Sequence, residues 1–471
     1  MRLGSFILGL AIAGAATPAL AAGGAPHAEG ATLGLIWALP FVGILLSIAL
    51  MPLFAASFWH HHYGKVAAAW ALAFVVPFTA VHGLPTGLYE VMHTLILEYI
   101  PFIVLLLALF TVTGGIRIVG NLHGSPSMNT ALLAIGTVLA GWMGTTGASM
   151  LLIRPVIRAN DDRVHKIHVF VFFIFLVSNI GGALTPLGDP PLFLGFLKGV
   201  SFFWPTSHLF TEMLVCCIVL LGVFYALDSY WYRKEGHMKA DPTPDTPVSL
   251  QGGANIVLLM AIVGVVLMSG TWKPGVTWTI YHVEVELQNL LRDVALVAIT
   301  VASLKLTSKA TRAGNGFSWG PIVEVAKLFA GIFLTIIPAI AILKAGREGA
   351  LSPLVSMVTR PDGAPIDAWY FWLTGMLSSF LDNAPTYLVF FNLAGGDAVN
   401  LMGPLASTLA AISCGAVFMG ANSYIGNAPN FMVKAVVEEA GIRMPSFFGY
   451  MAWSSAILLP LFVVLTLMFF L

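Results

Sequence analysis

The sequence predicts an all-α polytopic membrane protein, and three observations predict it. Of 471 residues, 58% are hydrophobic and only 9% are charged, against roughly 25% charged residues in soluble domains. The apolar residues gather in runs of about 20, the length that crosses a hydrocarbon core. Two of the longest runs are interrupted by clusters of Gly, Pro, Asn and Ser. The composition excludes a soluble enzyme and a disordered chain, and a net charge of zero leaves no basic surface for nucleic acid. The interruptions narrow the class further, because open backbone inside a bilayer is tolerated only where protein surrounds it.

Each element follows in order. Residues 1–22 hold Arg2, an apolar stretch from Phe6 to Ala16 and small residues up to Ala22. That stretch is too short to span and reads as a secretory signal peptide, with an uncleaved interfacial helix as the alternative. A first inverted repeat, 23–236, contains spans at 33–54, 66–84 and 95–116, a re-entrant hairpin at 127–158, a broken helix at 167–199 and a span at 208–231. The polar stretch 237–253 reads as a cytoplasmic linker. A second repeat, 254–471, contains spans at 254–271, 291–304 and 320–342, a hairpin at 367–395, a broken helix at 405–437 and a span at 447–470. Each repeat thus has five spans, one of them broken, plus one hairpin. The hairpins are assigned from their polar centres, Gly144-Thr145-Thr146-Gly147 and Asp382-Asn383-Ala384-Pro385. A straight crossing would leave those centres in lipid, whereas a hairpin buries its tip in protein.

Charge tests this layout. With hairpins that enter and leave on one side, most Lys and Arg residues, including Lys65, Arg117, Arg154, Arg158, Arg163 and Lys305, share one face. Lys198, Lys273, Arg292, Lys344, Arg347 and Arg360 fall on the other. The basic face is cytoplasmic by the positive-inside rule. The mature N-terminus and the C-terminus are then periplasmic, in a bacterial-type inner membrane. Opposite orientation of the two halves is the plan of many secondary transporters.

The interruptions carry the chemistry. The first break runs Ser178-Asn179-Ile180-Gly181-Gly182-Ala183-Leu184-Thr185-Pro186-Leu187-Gly188-Asp189-Pro190-Pro191, and the second Gly420-Ala421-Asn422-Ser423-Tyr424-Ile425-Gly426-Asn427-Ala428-Pro429-Asn430. Gly188-Asp189-x-Pro191 and Gly426-Asn427-x-Pro429 match at an offset of 238 residues, and Thr145 and Asn383 match at the same offset. Proline removes a backbone donor and glycine tolerates non-helical geometry, so both breaks free carbonyl oxygens near mid-membrane. Freed carbonyls together with Asn, Ser and Thr oxygens suit a hard cation such as sodium.

Asp189 and Asp382 are the sharpest residues, since a carboxylate deep in a membrane is costly unless neutralised, paired or hydrated. Burial favours its protonated form and a nearby cation its ionised form, so such a site exchanges a proton for a cation. The bland reading is that each caps a half-helix. Elsewhere, Glu98 reads as an interfacial side chain, Glu324 and Lys327 as a local ion pair, and His60-His61-His62 as a polar run in a short cytoplasmic loop. Arg154, well past Thr146 along the same helix, is too far from the tip to hold a substrate there. Cys216, Cys217 and Cys414 lie in apolar runs and read as small buried hydrophobes. No Gly-x-x-x-x-Gly-Lys-Ser/Thr sequence is present, so the energy is expected from an ion gradient or a separate subunit and not from ATP bound by this chain.

Ser178-Asn179-Ile180-Gly181-Gly182 through Gly188-Asp189-Pro190-Pro191, with Leu381-Asp382-Asn383-Ala384-Pro385-Thr386, resembles the ion transporter superfamily. That group includes D-type sodium/proton antiporters, arsenite permeases, citrate carriers and divalent-anion/sodium symporters. The resemblance implies a scaffold, a mobile part built of hairpins and broken helices, a homodimer, an elevator-like motion and one cation site per repeat. The first site it implies comprises Thr145, Thr146, Ser149, Asn179 and the break from Gly182 through Thr185 to Gly188. The second comprises Asn383, Thr386, Asn422, Ser423 and Asn427. The hairpin tips depart from the symporters' Ser-Asn-Thr and look closer to the antiporter and arsenite-permease branches, whereas the second break looks like that of a subfamily grouped with citrate carriers.

The expected function is ion-gradient-driven secondary transport without a bound cofactor. The leading expectation is sodium/proton antiport, with Asp189 and Asp382 exchanging proton for cation. The alternatives are a cation-coupled symporter of citrate-like carboxylates and a non-transporting membrane subunit.

Overall fold

The computed structural model describes residues 26–120, 122–236 and 246–471. The expected signal segment and residues 237–245 of the expected linker lie outside the described residues. The fold is an all-α polytopic membrane protein. Among the described residues, eight helices are long and apolar enough to cross a membrane, or nine if one bent pair is a single span.

Helices α1 (Leu35–Phe54), α2 (Ala56–His82) and α3 (Leu84–Thr113) come first. The chain turns at Ala55, and α2 then runs straight through His60-His61-His62. The histidine tract is therefore helical, contrary to the expected loop. No proline falls between Ala56 and Pro77 to stop the helix, and the single Gly64 costs only about 1 kcal/mol. In α3, residues Leu95–Tyr99 form one π-helical turn that carries Glu98.

Next come α4 (Pro126–Met143) and α5 (Thr145–Ala159), joined by Gly144 alone. The joint needs φ of +82° at Gly144, a conformation glycine adopts without strain. The two helices fold back on each other. At their open end Asn129 Nδ2 donates to Asn160 Oδ1 (2.8 Å), and Asn160 Nδ2 returns a bond to Asn129 Oδ1 (2.9 Å). Helix α6 (Ile167–Leu176) and α7 (Pro190–Leu197) flank the first break, and α8 (Trp204–Glu235) closes this half.

The second half repeats the order. Helices α9 (Ala254–Thr271) and α10 (Leu287–Leu306) precede α11 (Gly320–Thr335) and α12 (Ile337–Lys344), which meet at a 42° bend. The expected single span at 320–342 is thus bent. Pro338, in the first turn of α12, removes the donor that would have carried the helix straight on. Helices α13 (Asp367–Phe380) and α14 (Asn383–Leu393) also fold back, with Tyr370 Oη donating to Leu393 O (3.4 Å). Helices α15 (Ala406–Met419) and α16 (Ala428–Glu439) flank the second break, and α17 (Phe447–Phe469) ends the fold.

Among the described residues, two small antiparallel sheets accompany the helices. β1 (Arg117–Val119) pairs with β2 (Ser249–Gln251), so the end of the expected linker is tied to the end of α3. β3 (Thr277–Ile280) and β4 (Val283–Glu286) form a hairpin between α9 and α10. Lys327 does not pair with Glu324. Its ammonium lies 5.4 Å from the Tyr63 ring centroid, and its stem packs over Gly64, where the missing side chain leaves room.

Burial shows what lies at the centre. Of the apolar stretch Ile167–Leu184, 89% is buried, against 17% of the apolar stretch of α2, which lies at the periphery. Phe170 to Leu176 is apolar on every side, as a helix surrounded by protein must be. All three cysteines are free and buried.

A polar cluster ties the first hairpin to α8. Arg163 donates to Asp228 Oδ1 (2.8 Å), Glu235 Oε2 (2.9 Å) and Gly124 O (2.7 Å). Asp228 also bonds to His168 Nε2 (2.9 Å) and accepts from Asn129 Nδ2 (3.0 Å). The Arg163 and Asp228 side chains are fully buried. Removing one partner leaves the other charge without compensation, so Asp228→Ala is expected to cost about 3–5 kcal/mol. Thermal unfolding in detergent checks this, and an unchanged midpoint would count against a structural role for the cluster.

Candidate ion-binding site

The two breaks are built alike. Pro190 and Pro191 start α7, and Pro429 starts α16, each at a first-turn position where the missing N–H costs nothing. Upstream, the chain crosses itself closely. A Cβ on Gly188 would lie 2.2 Å from Gly182 O, and one on Gly426 would lie 2.5 Å from Gly420 O. Glycine is required at both crossings.

Each break is stitched to its neighbouring hairpin by a hydroxyl at a matched position. Thr185 Oγ1 donates to Gly141 O and accepts from Leu187 N (3.1 Å). Ser423 Oγ donates to Ser379 O (2.5 Å) and accepts from Ile425 N (3.2 Å). Thr185 and Ser423, Gly141 and Ser379, and Leu187 and Ile425 are each 238 positions apart.

Asp189 sits where the pieces meet. It is 1% exposed. Its Oδ1 accepts from Thr145 Oγ1 (2.9 Å) and Asn427 Nδ2 (3.1 Å), and its Oδ2 accepts from Asn383 Nδ2. Thr145 is the first residue past the first tip, Asn383 the first of α14 and Asn427 the cap position of α16. One carboxylate from the first break therefore holds both hairpins and the second break. None of its bonding partners is Lys, Arg or His. Asp189 and Asn427 occupy matched positions, so the two breaks touch through equivalent residues, one an acid and the other an amide.

The remaining predicted residues surround this centre. Asn179 donates to Ile174 O (2.8 Å) and Asn430 Oδ1 (2.7 Å), and its own Oδ1 accepts from Asn427 Nδ2 (3.3 Å). Ser149 and Ser178 share a hydrogen bond of 2.9 Å. Gly182 packs against Thr145 and Asp189, and Gly188 O accepts from Thr145 N (2.8 Å). Asn422 Nδ2 donates to Ser379 Oγ (2.9 Å).

Three predicted residues stand apart. Asp382 uses its carboxylate to cap α14, with Oδ1 accepting from Ala384 N (3.1 Å). Thr386 Oγ1 turns back to Asp382 O (3.0 Å), and Thr146 makes none of these contacts. The capping geometry follows from local sequence, since Asp two residues before a free helix N–H is a favoured acceptor.

Sequence reasoning passed over Asn430. Its Nδ2 donates to Gly420 O (2.8 Å) and Ser423 O (2.9 Å), closing two carbonyls that the second break opens. Its place one turn into α16, three residues after Asn427, was the available signal. Two side-chain oxygens remain open: Asn383 Oδ1 and Asn422 Oδ1 are buried and accept no hydrogen bond. Buried amide oxygens are nearly always satisfied, so these two suit a ligand.

Glu98 is paired, not merely interfacial. Lys198, just past α7, donates to its Oε1 (2.5 Å) and links the broken span to α3. Arg154 binds Asn315 O (2.9 Å), away from the tip, as its distance along α5 requires.

The family profile described as putative citrate transport matches residues 30–470, which takes in both hairpins and both breaks. The chain is also similar to an uncharacterized transporter of Mycobacterium bovis, at 24% identity over 329 residues. The match spans 68% of this chain and 71% of that protein. An uncharacterized transporter of Mycobacterium tuberculosis matches with the same figures. The apolar helices, the polar centre they enclose and these likenesses agree on a multi-pass membrane transporter, and the chain belongs to the putative citrate transport family.

Proposed function

We propose that this transporter exchanges a small cation, sodium in the first instance, for a proton at Asp189. One observation carries the reading: a single buried carboxylate joins all four interrupted elements and bonds to no fixed positive charge. Such a group needs either a proton or a cation to be stable in a membrane. The open oxygens of Asn383 and Asn422 offer neutral ligands for the cation. Asp382, spent on its helix cap, is a neighbour and not the exchanging group. The matched bonds 238 residues apart support two inverted repeats with re-entrant hairpins. On this reading the breaks and hairpins form the moving part of a homodimer in a bacterial-type inner membrane, with periplasmic termini.

A second reading is cation-coupled carboxylate symport. The family description favours it.

The test uses everted vesicles holding an imposed pH gradient. Sodium or lithium should collapse the gradient. A gradient that persists with the protein shown to be inserted, together with sodium-dependent uptake of labelled citrate, would transfer the assignment to symport.

A further inference from the structure

On the face that the basic residues mark as cytoplasmic, α5 ends with two arginines one turn apart. Arg154 Nη1 donates to Asn315 O (2.9 Å), and Arg158 Nη2 donates to Ile118 O (2.9 Å). Arg117, next to Ile118 in β1, packs its guanidinium on Gly314: a Cβ there would lie 2.3 Å from its Cζ. A Cβ on Gly316 would lie 2.1 Å from Arg154 Nη2. Asn315 Nδ2 completes the junction with bonds to Gly114 O (3.3 Å) and Ile116 O (3.0 Å). Two guanidiniums therefore pack on residues 314–316 and a third lies near them, the charges of Arg117 and Arg154 both bearing on Arg158.

None of the three forms an ion pair with an acid among the described residues. Arg117 Nε is buried without an acceptor. Beside Arg154 and Arg158 lies a cavity of about 260 Å³ between α5 and α16, lined also by Ile157, Val436, Glu439 and Ala440. Glu439 is the one acid on that wall. It is exposed, and it opposes the two arginines beside it and Arg117 behind them. Arginines that only orient a protein in the membrane can stand in water or among head groups. These are half-buried and line an open cleft, their charges unmatched by a paired acid.

We infer that this cavity binds a small multivalent oxyanion, a carboxylate or phosphate compound, gripped by Arg154 and Arg158 with Arg117 behind them. Guanidinium forks match carboxylate and phosphate oxygens two at a time. The volume lies below the roughly 300 Å³ at which pockets for drug-sized ligands begin, so the occupant is a small free anion or a lipid head group. The site is separate from the Asp189 centre: Thr145 starts α5, and the arginine pair lies near its other end.

Titration calorimetry on the purified full-length protein, with citrate and with inorganic phosphate, tests the free-anion source. Native mass spectrometry of protein extracted from cardiolipin-containing membranes tests the head-group source. One arm should give binding, and the double variant Arg154→Gln/Arg158→Gln should weaken it by about tenfold or more. Arg154→Lys/Arg158→Lys keeps the charge but not the fork, so it should bind more weakly than wild type and more tightly than the double Gln variant, which separates loss of the site from loss of the fold. Glu439→Gln should tighten binding, and Asp189→Asn should leave it unchanged. Absence of binding in both arms, survival of binding in the double Gln variant, or its loss in Asp189→Asn would each overturn the inference.

Discussion

Asp189→Asn is expected to abolish cation–proton exchange, with a loss of at least about 100-fold in the vesicle assay while the protein remains inserted. The substitution keeps the shape of the side chain and removes the carboxylate at the junction of the four interrupted elements. An amide also reverses one contact. Its Oδ1 still accepts from Thr145 and Asn427, but its NH2 group then faces the NH2 group of Asn383, donor against donor. A buried donor left unmatched costs about 1–3 kcal/mol, so the second tip should loosen as well. Asp382→Asn is the control. Asn caps a helix as well as Asp does, so exchange should stay within a few-fold of wild type. Equal loss in both variants would refute the assignment of Asp189 as the single exchanging acid.

Asn427→Asp is expected to move the onset of exchange to more alkaline pH, by about one to two units. It would place a second carboxylate where Asn427 Nδ2 now lies 3.1 Å from Asp189 Oδ1. Two carboxylates that close do not ionise together, and the pair retains one proton into more basic solution. Cation entry then waits for that proton to leave. The exchange Asp189→Asn/Asn427→Asp is the stricter test, because it returns one acid and one amide to matched positions on opposite breaks. It should restore at least about ten times the activity of Asp189→Asn alone. A pH profile identical to wild type in Asn427→Asp, or a swap as inactive as the single variant, would argue that the two positions do not form one shared unit.

Much of this centre was legible because its signals are local. Gly and Pro clustered with Asn and Ser mark open backbone in an apolar run, and the 238-residue offset links the two interruptions without any structure. Asp189 was recognisable as an acid between a required glycine and two prolines. Its partners were legible as types, since Thr145, Asn383 and Asn427 are polar residues at tips and breaks. Their convergence on one carboxylate was not, because it depends on how four elements pack. Asp382 shows the limit of that reading: sequence alone makes it equal to Asp189, and only the structure shows that its Oδ1 accepts from Ala384 N at the start of α14. Lys327 chose Tyr63 and the gap at Gly64 over Glu324 on its own helix, a preference set by a helix far away in the chain. The Arg163–Asp228 cluster was invisible for the same reason: its members are widely spread along the sequence and no spacing connects them.

That cluster gives the first hairpin two ends of unequal compliance. The base, where Asn129, Asn160 and Arg163 are bolted to α8, resists separation with the strength of a buried charge network. The tip is held by individual hydrogen bonds at Thr145 and Gly141, each worth about 1–3 kcal/mol. Under a load applied at the centre, such a hairpin behaves as a reed clamped at one end: the free end bends first, and the clamp returns it. Its stiffness is set a full helix length away from the tip it governs, so a substitution at the clamp should change how fast the tip yields without touching what it holds.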